Sequence, residues 1–247
     1  MSKTILVTGS SRGIGAQIIR TFAKEGYNVI INYNHNKECA QKLLEEVSAY
    51  GIKAITIKCD ISDEQQVKDM VTKVYKEFGS VDVLVNNAGI SIDSLFQYKT
   101  VENFQKTLNV NVIGTFLVSK YFGEEMYKSK SGKIINITST NGINTYYPMC
   151  IDYDASKSAI ISLTHNLAIQ FAPYVNVNAV APGFIATQSE IQDMDDEFIK
   201  YEEEKILLRH KGTEEDVADL VFFLASDKAK FINNEVVRID GGLYGNY

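Results

Sequence analysis

Short aliphatic runs alternate along the chain with longer stretches in which apolar positions recur every three or four residues. Ile5-Leu6-Val7, Asn28 to Asn32, Ala54 to Lys58 and Val81 to Val85 are compact and rich in β-branched side chains, as in strands buried on both faces. Between them, Ile14, Ile18, Ile19 and Phe22 share one helical face, and Ala40, Leu43, Leu44 and Val47 share a second that stops at Gly51. Val67, Met70, Val71, Val74 and Phe78 form a third, behind a Ser62-x-x-Gln65 capping box. The alternation continues with a helix from about Val101 to Lys128, a strand Lys133 to Thr138, a helix near Asp152 to Phe171, a strand Val175 to Val180, a helix Glu214 to Ala225 and a strand Glu235 to Ile239. This pattern predicts an α/β fold, a doubly wound, Rossmann-type parallel sheet of about seven strands with right-handed crossovers and ligands at the carboxyl ends of the strands.

No linker divides the sequence, so residues 1–247 read as a single domain. The exception to the regular spacing is Phe184 to Gly212, which follows Pro182-Gly183 and is acidic between Glu190 and Glu204. A charge run of this kind is either a solvated helix face or, beside a ligand site, a substrate lid at about 184–212.

Composition narrows the ligand class. A net charge of −6 and a pI near 5.2 disfavour nucleic acid and leave small molecules as the expected partners. Cys39, Cys59 and Cys150 lack CxxC spacing, and His35, His165 and His210 lack mutual ligand spacing, so reduced thiols and no metal are expected. No run approaches the length of a membrane span, and a cytoplasmic protein is the expectation.

Thr8 to Gly15, between the first strand and the first helix, has glycines at 9, 13 and 15. These let the backbone turn tightly and approach a pyrophosphate seated on the helix N-terminus, or serve only to reverse the chain. Tyr153 and Lys157, four apart on a predicted helix, project from one face, where an ammonium lowers a phenol's pKa from about 10. Taken alone, the spacing reads as an exposed helix pair. Ser139, at the end of a predicted strand, stands either at the carboxyl edge of the sheet with its hydroxyl free for a carbonyl, or in a turn. Asn111, in an apolar helical stretch, needs a hydrogen-bonding reason, which the backbone alone could supply; Asn86-Asn87-Ala88-Gly89 would also pass as an Asx-type turn. Cys150, just before Tyr153, lines a cleft or fills space.

Together, Thr8-Gly9-x-x-x-Gly13-Ile14-Gly15, Asn86-Asn87-Ala88-Gly89, Asn111, Ser139, Tyr153-x-x-x-Lys157, Pro182-Gly183 with Thr187, and Asp240-Gly241-Gly242 resemble the short-chain dehydrogenases/reductases over essentially the whole sequence. The resemblance implies Tyr153 as catalytic acid/base, Ser139 as the group that orients and polarises the carbonyl, Lys157 as holder of the nicotinamide ribose and tuner of Tyr153, and Asn111 as support for a proton-relay water. It places Asp60 and Ile61 at the adenine, Asn87 at the adjoining ribose, and Ile185 and Thr187 at the nicotinamide end. Further cofactor contacts are expected at Gly9, Ser11, Gly13, Ile14, Gly15, Ala88, Gly89, Pro182 and Gly183. NADP(H) is expected over NAD(H): Arg12 is placed to pair with a 2′-phosphate, and the second strand ends Asn32-Tyr33-Asn34-His35 without the acid that would hold a free 2′-hydroxyl. The alternative leaves Arg12 in solvent and Asn32 merely ending a strand.

Within the family the chain looks most like the 3-oxoacyl-acyl carrier protein reductases, through Asn178 to Ile185 and Phe223 to Asp227. It departs from them at Tyr146-Tyr147-Pro148-Met149-Cys150, where those reductases usually carry glycine and asparagine. The implied reaction is NADPH-dependent hydride transfer with a ketone or a 3-oxoacyl thioester, free or acyl carrier protein-linked. Alternatives are a secondary-alcohol dehydrogenase for a free sugar, steroid or polyol, and a non-catalytic dinucleotide sensor. The family also implies a homotetramer, with the two long helices of the second half and the final strand region at its interfaces.

Overall fold

In the computed structural model, which describes residues 2–144, 146–185 and 194–244, the aliphatic runs become seven parallel strands. They are β1 (Thr4–Val7), β2 (Asn28–Tyr33), β3 (Ala54–Lys58), β4 (Val83–Asn86), β5 (Gly132–Ile137), β6 (Val175–Pro182) and β7 (Val236–Ile239), in the order β3-β2-β1-β4-β5-β6-β7. The described helices are α1 (Gly13–Lys24), α2 (Lys37–Ser48), α3 (Glu64–Phe78), α4 (Val101–Leu108), α5 (Thr115–Ser129), α6 (Ile151–Gln170), α7 (Asp196–Glu204) and α8 (Glu214–Ala225).

The two-residue period of the strands sorts their side chains into two cores. Ile5, Val7, Val29, Ile31, Val83, Val85 and Ile135 point to one face, where Ile18 and Phe22 of α1 and Val221 of α8 cover them. Leu6, Ile30, Leu84 and Ile134 point to the other, against Val67 and Met70 of α3 and Phe122 and Met126 of α5. Each fully buried aliphatic side chain contributes about 1.5–3 kcal/mol, so both faces need apolar residues and the strands read as continuous runs. The chain builds outward from β1 to β3, then crosses back to place β4 on the other side of β1. At that reversal the connections leave in opposite directions and open a crevice at the carboxyl ends of β1 and β4.

Two expectations are corrected. The single helix expected from Val101 to Lys128 is interrupted: α4 ends at Leu108, Asn109–Gly114 winds as a π-helical turn, and α5 resumes at Thr115. Asn111 is tied there to the loop after β4, its Oδ1 accepting from the Ile90 N–H at 2.8 Å and its Nδ2 donating to the Ile90 carbonyl at 2.9 Å. Gly114 lets the turn press on Ile61, whose Cδ1 would lie 2.6 Å from an added Cβ. The cap of α3 is Asp63 rather than Ser62, because Asp60 captures both the N–H and the hydroxyl of Ser62 at 2.9 and 2.6 Å, and Asp63 accepts from the N–H groups of Gln65 and Gln66.

The acidic excursion leaves and rejoins the fold at a bridge between Ile185 and Gly212. Residues 186–193, including Thr187 and part of the expected lid, lie outside the described residues. Its later part is α7, capped by Asp195, with Phe198 edge-on to Phe184 at 6.4 Å between ring centroids.

Candidate active site

The turn after β1 and the loop after β4 interlock. Gly9 and Gly13 have φ of +60° and +61°, which favours glycine, and a Cβ at Gly9 would meet the Ala88 Cα at 2.8 Å. At Gly15 a Cβ would lie 2.5 Å from Asn87 Nδ2. Thr8 completes the joint: its Oγ1 accepts from the Asn87 and Ala88 N–H groups, both at 3.0 Å, and its carbonyl accepts from Asn87 Nδ2 at 2.9 Å. Thr8 stands in the motif, but only the fold reveals that its hydroxyl is the fastener.

Arg12, the exposed N-cap of α1, makes no side-chain cap bond, so the N–H groups of the first turn, from Gly13 to Gly15, are left without a side-chain cap and can serve an anion. A tight turn through Gly9 and Gly13, both at positive φ, that leads into a helix start with no side-chain cap fits a dinucleotide's pyrophosphate.

Asn32 faces inward. It is 2% exposed, its Oδ1 accepts from the Gly9 N–H at 3.0 Å, and its Nδ2 donates to the carbonyls of Ile57 and Cys59. The amide thus ties the turn, through its oxygen, to the end of β3, through its nitrogen, and places an uncharged residue at this end of the crevice. Asp60 lies half-buried at the same end: burial pushes its carboxyl up, but bonds from Ser62 and Asn34 outweigh this and hold it below the usual carboxylate range. Ile61 turns its side chain onto Gly114.

At the other end, Ser139, Tyr153 and Lys157 converge on one cavity of about 350 Å³, whose walls include Ile14, Asn87, Gly89, Pro182, Gly183 and Ile185. Ser139 follows β5 in extended conformation, and its Oγ accepts from the Asn141 N–H at 3.2 Å. Lys157 lies below Tyr153, with Nζ donating to the Ile137 carbonyl at 2.9 Å and standing 5.3 Å from the Tyr153 ring centroid. Burial lowers its pKa to about 8, so it still carries its proton at neutrality. Gly183 is required for close approach, since a Cβ there would meet the Asp240 Cβ at 2.5 Å.

Asn111 is fully buried behind this wall. Besides its bonds to Ile90, its Nδ2 donates at 2.9 Å to Ser156 Oγ, which donates at 2.7 Å to the Tyr153 carbonyl. Ser156 escaped sequence reasoning, since a serine between Tyr153 and Lys157 carries no signal of its own. A larger cavity of about 550 Å³ shares Gly183 with the first and is walled by Asn141, Tyr146, Tyr147, Phe184 and Phe198, with Asp93, Asp195 and Glu202 also lining it. A phenol and an ammonium in one cavity, with a larger cavity adjoining it at Gly183, form an arrangement suited to hydride transfer with proton exchange.

Comparison with known proteins agrees with this geometry. Residues 9–244 match the family described as Enoyl-(Acyl carrier protein) reductase. The chain is 40% identical to the 3-oxoacyl-acyl-carrier-protein reductase FabG of Staphylococcus epidermidis, over 99% of this chain and 100% of that protein. It is 34% identical to glucose 1-dehydrogenase 2 of Bacillus subtilis, over 98% and 94%. A solved structure of ElxO with NADP bound superposes with a TM-score of 0.90 at 35% identity, covering 98% of this chain and 99% of that one. With fold, crevice and whole-length similarity in accord, the chain belongs to the short-chain dehydrogenase/reductase family and is an oxidoreductase.

Proposed function

We propose that the protein is an NADPH-preferring reductase of ketones or 3-oxoacyl thioesters, a reading carried by the convergence of Ser139, Tyr153 and Lys157 on one cleft. The nicotinamide supplies the hydride when bound. The Ser139 hydroxyl donates to the substrate carbonyl oxygen, and Tyr153 delivers the proton to that oxygen as the alcohol forms. The Lys157 ammonium favours the phenolate left behind and holds the nicotinamide ribose. Asn111 fixes Ile90 and, through Ser156, the first turn of α6, and supports the water through which Tyr153 regains its proton. Gly9, Ser11, Gly13, Ile14 and Gly15 cradle the pyrophosphate; Asp60 and Ile61 meet the adenine, Asn87 with Ala88 and Gly89 the adjoining ribose, and Pro182, Gly183 and Ile185 the nicotinamide end. α7, which lines the larger cavity with Phe198 and Glu202, covers the substrate.

Arg12 selects the phosphate. It is exposed and has no ion-pair partner among the described residues, so its charge is available to a 2′-phosphate. A charged hydrogen bond of about 1.5–3 kcal/mol corresponds to roughly ten- to a hundredfold. Arg12→Ala is therefore expected to lower the NADPH/NADH ratio of kcat/KM by that factor, and an unchanged ratio would refute the assignment.

A second reading, a dehydrogenase for a free small alcohol, is favoured by the lining of the larger cavity. Aromatic rings with Asp93, Asp195 and Glu202 suit an uncharged hydroxylated molecule better than a substrate delivered by an acidic carrier protein. Steady-state assays of acetoacetyl-coenzyme A, diacetyl, acetoin and D-glucose with both cofactors decide between them. Reduction of the thioester or of diacetyl supports the first reading, oxidation confined to acetoin and glucose supports the second, and NADPH binding without any turnover would leave the non-catalytic sensor.

We also infer a homotetramer. Ile113, Phe116, Ile169 and Phe231 expose large apolar surface on and beside α5, α6 and the segment before β7, with Phe231 at 100%. Sedimentation at micromolar concentration should give the tetramer, and a monomer would overturn the inference.

A further inference from the structure

Tyr153 is flanked in the first turn of α6 by two buried carboxylates, Asp152 and Asp154. Asp152 pairs with Lys99. Asp154 has no cation among the described residues. Its donors come from the segment between β5 and α6: Oδ1 accepts from Asn141 Nδ2 at 2.7 Å and lies 3.6 Å from Cys150 Sγ, while Oδ2 accepts from the Tyr147 N–H at 3.1 Å. Burial, with Asp154 beside it, pushes the Cys150 thiol up to about 12, which keeps it an S–H donor. A buried carboxylate is costly unless donors converge on it, and only an acceptor-only group suits these three. Two of them, Asn141 and Tyr147, belong to residues that wall the 550 Å³ cavity. None of the three lines the smaller cavity that holds Gly89, Pro182 and Ile185.

We propose that Asp154 is a positioning residue that fixes Asn141 and Tyr147 as the wall of the substrate cavity and thereby sets which carbonyl compounds reach Tyr153. The proposal rests on reading Tyr153 as the proton donor of hydride transfer. Its reach is selective: removing Asp154 frees the substrate wall and leaves the dinucleotide crevice in place. The residue thus acts on acceptor KM and on the choice between acceptors, with little effect on cofactor affinity.

The test uses the full chain with NADPH and two acceptors of different size, acetoacetyl-coenzyme A and diacetyl. Asp154→Ala is expected to raise KM for acetoacetyl-coenzyme A about tenfold and to shift the ratio of the two kcat/KM values, with NADPH affinity by fluorescence titration within a few-fold. Tyr147→Ala should shift the ratio in the same direction, and the double variant should fall short of the sum because both changes act on one wall. Should Asp154→Ala fail to fold, Asp154→Asn serves. Alone it sets an amide N–H against the donors; combined with Asn141→Asp, the exchanged pair can re-form its bond and should recover most of the KM. An unchanged acceptor ratio, equal loss of NADPH affinity, strict additivity with Tyr147→Ala, or no recovery in the exchanged pair would overturn the proposal. Retention of activity by Tyr153→Phe would instead overturn the reading beneath it.

Discussion

Tyr153→Phe is expected to lower kcat by about 10²- to 10⁴-fold, the range for loss of a general acid, while NADPH affinity stays within a few-fold. The substitution deletes one hydroxyl and leaves the ring, the first turn of α6 and the bond from Lys157 Nζ to the Ile137 carbonyl in place. Lys157→Met should damage both turnover and cofactor binding, because the same ammonium lies 5.3 Å from the Tyr153 ring centroid and lines the cleft proposed for the nicotinamide. Single-turnover kinetics with direct NADPH titration separate the two effects, and most of the wild-type rate in Tyr153→Phe would end the assignment. Lys157 also leaves a mark on stability in the cofactor-free protein. Burial lowers its folded pKa to about 8, below the unfolded value of about 10.4. Between those values the unfolded chain binds more protons, so this residue's contribution to stability rises with pH across that window. The difference in thermal unfolding between wild type and Lys157→Met should follow that course, and a flat difference would count against a buried ammonium.

Lys99→Met is expected to destabilise the fold by about 3–5 kcal/mol, the cost of leaving a buried charge without its partner. Lys99 Nζ and the Asp152 carboxylate are 4% and 0% exposed and 2.8 Å apart, Thr107 Oγ1 donates to the other carboxylate oxygen at 2.6 Å, and Lys99 also donates to the Ile92 carbonyl. In a chain of this size the loss corresponds to a fall in Tm of roughly 6–20 °C. Adding Asp152→Asn should restore most of it, because the amide is neutral and still accepts from Thr107. Burial pushes the Asp152 carboxyl up, but the bonds from Lys99 and Thr107 outweigh this, so its folded pKa lies below the ordinary value. Its contribution is therefore complete above about pH 4 and is lost as pH falls through that lower folded value. Calorimetry of the single and double variants checks this, and equal stability of Lys99→Met and wild type would refute a working buried pair.

Much of this architecture was legible without coordinates. Apolar periodicity distinguishes strands from helices because it records which faces are hidden, and the alternation of the two leaves few topologies other than a parallel, doubly wound sheet. The glycines at 9, 13 and 15 mark the turn, and four-residue spacing puts Tyr153 and Lys157 on one face, as they lie. Periodicity says that a residue is buried, however, and does not say against what. Thr8 and Asn87, Asn111 and Ile90, and Lys99 and Asp152 are 79, 21 and 53 residues apart, and each pair meets only because the sheet order and crossovers bring distant segments together. The same limit explains the π-helical turn at Asn109–Gly114, where a distant backbone claims an amide, and the inward set of Asn32, whose amide is shared between the glycine turn and the end of β3. The sequence alone determined the order of the elements and the chemical groups available at the carboxyl edge. Tertiary structure decided which buried donors and acceptors pair, because each such group must find a partner and the partner is set by proximity in the fold rather than along the chain.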